Sequence, residues 1–107
     1  METDWVTLQK MNSTELIEKL KQEKQTLKEK FSVEEIGVFG SYARNTQTEN
    51  SDIDLLVKLS EPKFLNLAGL LNYLEEKLKK HIDITTKHKH LTSRFLDKIE
   101  KDIIYVW

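Results

Sequence analysis

Apolar residues recur along the chain at two periods, and the alternation between them outlines the elements. Leu16, Ile17, Leu20, Leu27 and Phe31 fall on one helical stripe, with Asn12 or Ser13 placed to cap it. Glu and Lys alternate on the opposite face, the pattern of a solvated surface. The spacing predicts a helix from Asn12 to Lys30. Met1 to Met11 reads as a frayed start or a short additional turn, with Trp5, Val6 and Leu8 apolar enough to dock. Ile36, Val38 and Phe39 form a short strand ending at Gly40-Ser41, and Tyr42 to Arg44 fit one or two helical turns. Asn45 to Ser51 is polar and turn-like. Ile53, Leu55, Leu56, Val57 and Leu59 then make a nearly continuous apolar strand, as expected when both faces are covered. Glu61-Pro62 breaks it. Leu67, Leu70, Leu71, Leu74 and Leu78 predict a second long helix over Leu65 to Lys80, with Lys77, Lys79 and Lys80 complementing the negative end of its dipole. His81 to Thr85 alternates as a strand. Phe95, Leu96 and Ile99 share one face of a helix running from Thr92 or Ser93 to Lys101. Ile103 to Val106 reads as an edge strand rather than a continuation of that helix. The order predicts an α/β (α+β) architecture, a small mixed β-sheet with helices packed against it.

Composition narrows the function. At 107 residues the chain is expected to be one domain, with a helical segment at 1–31, a core at 36–84, and a helix with an edge strand at 92–107. Charged residues make up 33% but the net charge is −1, so no broad attraction to DNA or a membrane is expected. The chain has no cysteine, which excludes disulfides, thiolate metal sites and cysteine nucleophiles. It carries no apolar run of membrane length and no signal-peptide pattern, so a soluble cytoplasmic protein is expected.

The chemistry concentrates in GVFGSYARNTQTENSDIDLLV, from Gly37 to Val57. A strand that only had to pack would not begin Asp-Ile-Asp. Residues two apart on a strand share a face, so Asp52 and Asp54 point the same way. Two carboxylates that close repel, and burial sharpens the repulsion. A divalent cation resolves it, and Mg²⁺ is commonly held by one or two carboxylates plus substrate phosphates. Asp83, between two isoleucines on the next strand, completes a three-acid set if the strands are neighbours. Three acids can hold two ions, one activating the attacking oxygen and one neutralising phosphates. Upstream, Gly40 permits a sharp turn and a close backbone approach, and Ser41 offers its hydroxyl and N–H to a phosphate. Gly-Ser at a fixed distance from Asp-x-Asp arises by chance in about one such chain in a thousand.

The stretch GSYARNTQTENSDIDLLV resembles the signature of the DNA polymerase β-like nucleotidyltransferase superfamily: Gly-Ser, about ten residues, Asp-x-Asp, and a third acid on a later strand. The small size is most similar to the minimal nucleotidyltransferases, the antitoxins of HEPN/MNT toxin–antitoxin pairs. The resemblance implies a polymerase β palm-like fold and Mg²⁺-dependent transfer of a nucleoside monophosphate with release of pyrophosphate. For antitoxin members it implies AMP transfer from ATP to a tyrosine of a HEPN RNase toxin, which silences it. By position, Gly40 and Ser41 match the phosphate-binding pair, Asp52 and Asp54 the metal-binding pair, and Asp83 the third acid, as base or metal ligand. Asn45 departs from the glycine that family members often have after Ala-Arg; Asn tolerates the left-handed conformation better than most residues.

Other residues stay open at this stage. Arg44 fits a phosphate contact, a contact to an acidic partner, or a plain surface arginine. His81, His88 and His90 are poorly spaced for zinc without Cys or acid neighbours, so solvated or partner-facing histidines are expected. Tyr105 and Trp107 fit packing or an interface. Two alternative functions compete with the enzymatic antitoxin: a module that neutralises its partner by contact alone, and an aminoglycoside-type transferase acting on a small molecule. The acceptor, and association with the toxin or with further copies of this chain, are left open.

Overall fold

The computed structural model describes residues 11–88 and 91–107. The expectations for Trp5, Val6, Leu8 and His90 lie outside the described residues. In chain order the elements are α1 (Ser13–Gln22), α2 (Lys24–Phe31), β1 (Val33–Phe39), α3 (Ser41–Arg44), β2 (Ile53–Leu59), α4 (Phe64–Leu78), β3 (Ile82–Thr86), α5 (Ser93–Glu100) and β4 (Ile104–Tyr105). The sheet order is β3-β2-β1-β4. β1 runs antiparallel to both β2 and β4, while β2 and β3 are parallel, joined across α4. The sheet is mixed, as predicted, and Ile104–Tyr105 is an edge strand. Among the described residues no helix is long and apolar enough to cross a membrane.

The predicted first helix is two helices. It breaks at Glu23, which leaves helical geometry at φ −92° and ψ 1°. The Glu23 N–H donates to the Leu20 carbonyl at 3.0 Å, a tightened last turn. The Glu23 carboxylate accepts a hydrogen bond from the Tyr73 hydroxyl on α4. The break turns Leu27 and Phe31 toward α4, where the Phe31 and Tyr73 rings meet at a 49° tilt with centroids 5.5 Å apart. At the start of α1, the Asn12 side chain accepts from the Glu15 N–H at 2.8 Å, so the cap is Asn12 rather than Ser13.

The sheet separates two environments because its side chains alternate. Ile53, Leu55 and Val57 on β2, with Ile36 and Val38 on β1 and Ile82 on β3, pack in one buried cluster with Leu16, Leu20, Leu27, Leu70 and Leu74 of the helices. Asp54 and Leu56 project to the other face. That face carries α5: Leu56 and Ile99 are buried but outside the main cluster, and Phe39 meets Phe95 edge-on at 5.8 Å. Both faces of β2 are therefore covered, which accounts for its nearly continuous apolar character. Trp107 packs against the main cluster, and its carbonyl accepts from the Ile36 N–H at 3.1 Å.

Candidate active site

The acids meet where β2 and β3 begin. In the parallel register Asp54 lies opposite Asp83, and Ile53 opposite Ile82. Neighbouring strands are about 4.8 Å apart, so the two carboxylates stand side by side on the face that carries α5. Asp52, two residues ahead of Asp54, is exposed at the strand mouth. Burial, then the charges of Asp83 and Asp52, push the Asp54 carboxyl above the ordinary carboxylate range, while Arg44 works against them. Asp54 thus feels both other acids, as the spacing implied. Among the described residues no three acids or histidines already converge tightly enough to enclose a metal ion unaided. A Mg²⁺ site of this kind is completed by substrate phosphates and water, and the donor set fits that role: hard carboxylate oxygens whose mutual repulsion a cation would relieve.

The turn ahead of β2 is built against these acids. Gly40 adopts φ 73° and ψ −149°, a conformation nearly closed to other residues. A Cβ there would lie 2.2 Å from Asp54 Oδ2. The glycine is required twice, by its dihedrals and by the carboxylate beside it. Ser41 opens α3, and among the described residues its hydroxyl makes no hydrogen bond. Tyr42, 1% exposed, drives into the main cluster and anchors this short helix. Its hydroxyl is buried with no partner among the described residues, and burial pushes its pKa up. Asn45 closes α3 at φ 60° and ψ 36°, so Asn takes the left-handed position that the family pattern gives to glycine.

Several contacts around the site were not legible in the sequence. Ser13 donates to the Tyr42 carbonyl, and its hydroxyl lies 3.2 Å from Asn45 Oδ1, tying the first helix to the Gly40–Asn45 turn. His81 Nδ1 lies 3.5 Å from Asp52 Oδ1. A polar cavity of about 310 Å³ opens beside Asp52, lined by Lys79, Lys80, His81 and residues 49–51. The Lys79-Lys80-His81 run just ahead of β3 was the available signal; its lysines were read above as a complement to the helix dipole and His81 as a solvated or partner-facing histidine. Arg44 is 3.6 Å from Asp102, an acid of this chain, with both side chains substantially exposed.

The chain is similar to known proteins along most of its length. The family described as "Nucleotidyltransferase domain" matches residues 9–106. A Methanocaldococcus jannaschii protein classed as a protein adenylyltransferase is 45% identical over 94 residues, 87% of this chain and 96% of that one. The protein adenylyltransferase MntA of Thermococcus cleftensis is 40% identical over 84 residues, 78% of this chain and 84% of that one. Among solved structures, a minimal nucleotidyltransferase superposes with TM-score 0.72 at 29% identity, covering 89% of this chain and 96% of the other. The fold also matches, at TM-score 0.60 and 16% identity over 85% of this chain and 71% of the other, a chain from a Shewanella oneidensis complex of a tri-AMPylated HEPN toxin with its MNT antitoxin. The chain belongs to the nucleotidyltransferase-domain family, among the minimal nucleotidyltransferases, and is a nucleotidyltransferase.

Proposed function

We propose that the protein is an antitoxin that transfers AMP from ATP to a tyrosine hydroxyl of a HEPN-domain RNase toxin, in a Mg²⁺-dependent reaction. The observation that carries this reading is the register that sets Asp54 beside Asp83, with Gly40 packed against the Asp54 carboxylate. The acceptor class follows the relatives, named protein adenylyltransferases, rather than drug-modifying enzymes. Asp52 and Asp54, with Asp83, would hold Mg²⁺, which supplies positive charge against the triphosphate and the departing pyrophosphate. The Gly40–Ser41 turn brings a hydroxyl and backbone N–H groups to the phosphates. Asp83, exposed on the edge strand, would accept the acceptor's proton. The acceptor oxygen bonds to the α-phosphorus as the bond to the β-phosphate oxygen breaks, and pyrophosphate leaves.

The competing reading is neutralisation by contact alone. An RNase assay separates the two. The toxin is incubated with the wild-type chain, ATP and Mg²⁺, then freed from it and assayed. Lasting loss of RNase activity with wild type, and none with Asp52→Ala/Asp54→Ala, is the expected result. Equal neutralisation by both proteins would overturn the catalytic reading.

A further inference from the structure

The acids occupy the starts of β2 and β3. At the far ends of the same strands lies a second cavity, of about 440 Å³, whose lining serves none of the chemistry above. Its apolar wall is Leu59, Pro62, Phe64 and Leu67; its polar lining is Lys58, Lys63, Thr86, Lys87 and His88, with no acid among the lining residues. Phe64 and the adjacent Leu65 are 78% and 80% exposed. Two neighbouring large apolar side chains left in water beside a groove mark a contact surface. The charge pattern specifies what the contact carries. α4 begins with Lys63 at its cap, no side-chain cap bond and no acid in its first turn. A lysine therefore stands at the positive end of the helix dipole, where an anion is favoured. Lys58 and Lys87 are paired with Glu34 and Glu35 at 3.6 and 3.3 Å, whereas Lys63 has no ion pair among the described residues.

We propose that this groove docks the partner protein through an acidic segment bearing a large apolar side chain. The apolar group packs against Phe64 and Leu67, and the carboxylates face Lys63 and the start of α4. The inference rests on the reading that the acceptor is a protein. Leu59 is five residues along β2 from Asp54, or about 17 Å. Docking and chemistry are thus separated, and the acceptor tyrosine must lie on a part of the partner that reaches back along the sheet.

The test uses the purified HEPN-domain toxin as the probe, with the full chain as wild type, Phe64→Ser/Leu65→Ser and Lys63→Glu. Unchanged thermal unfolding of these surface variants confirms their fold. The Kd for the toxin and the KM for AMP transfer are expected to rise at least about tenfold in both variants, with kcat at saturating toxin little changed. The effect of Lys63→Glu is expected to shrink as salt is raised. Wild-type affinity in both variants overturns the proposal. So does a change confined to self-association by light scattering, which would assign the groove to a second copy of this chain. A wild type that binds the toxin but transfers no AMP overturns the adenylylation reading, and the same Kd comparison still decides the groove. A wild type that neither binds nor transfers overturns both.

Discussion

Replacing Gly40 with alanine is expected to damage catalysis far more than folding. Two costs can be worked from the structure. The backbone there, at φ 73° and ψ −149°, lies in a region essentially reserved for glycine. Holding alanine in it costs about 1–3 kcal/mol, equivalent to a Tm drop of roughly 5–20 °C for a domain of this size. The second cost falls on the site. The new Cβ would sit 2.2 Å from Asp54 Oδ2, where real Cβ atoms essentially never approach closer than 3.0 Å. Either the carboxylate or the turn must move by about 0.8 Å, and a displacement near 1 Å can lower a rate by about a hundredfold. The assay pairs thermal unfolding with AMP transfer, measured well below the Tm of every variant. Gly37→Ala is the control: its Cβ would press on the Ile103 side chain at 2.9 Å, away from the acids, so stability should fall modestly while transfer persists. A folded Gly40→Ala protein that transfers AMP within about threefold of wild type would refute the claim that this glycine sets the Asp54 geometry.

Three further outcomes follow from the same site. Asp54→Asn is expected to abolish transfer yet raise the Tm of the metal-free protein at neutral pH, because the folded state raises the Asp54 pKa through burial and its acid neighbours. The sign fixes the pH dependence: the penalty is complete above the folded pKa and disappears once Asp54 is protonated in both states, so the Tm gap should close on acidification; a gap that widens contradicts it. At Asn45, Gly should keep transfer near wild type, whereas Ala should lose about 1 kcal/mol for a left-handed Cβ, read by denaturant unfolding. Ser13→Ala should raise the KM for ATP more than it lowers kcat, since its hydroxyl steadies the Gly40–Asn45 turn, proposed above to meet the phosphates, from outside the reacting atoms; a pure kcat loss would contradict that role.

What could be read from the sequence was local or periodic. Gly40-Ser41 and Asp52-Ile53-Asp54 lie within one turn and one strand, and period-two alternation puts both acids on one side. Asp83 could be linked to them only by assuming neighbouring strands, and the Asp54–Asp83 register bears out that assumption. The break at Glu23 could not be read, because its apolar stripe continues through it and its bonding partner Tyr73 is 50 residues away. The approach of His81 to Asp52 and of Asp102 to Arg44 likewise depends on which elements end together, not on spacing. The groove at Phe64 was invisible for a related reason. Phe64 and Leu65 look like ordinary helix residues, and only the packed structure leaves them exposed beside Lys63.

The most direct test is the intact mass of the HEPN-domain toxin after incubation with this chain, ATP and Mg²⁺, beside an Asp52→Ala/Asp54→Ala control. The account predicts a gain of one or more AMP masses with wild type, located on tyrosine and absent from the control. An unchanged toxin mass in a tight complex with the wild-type chain would contradict it.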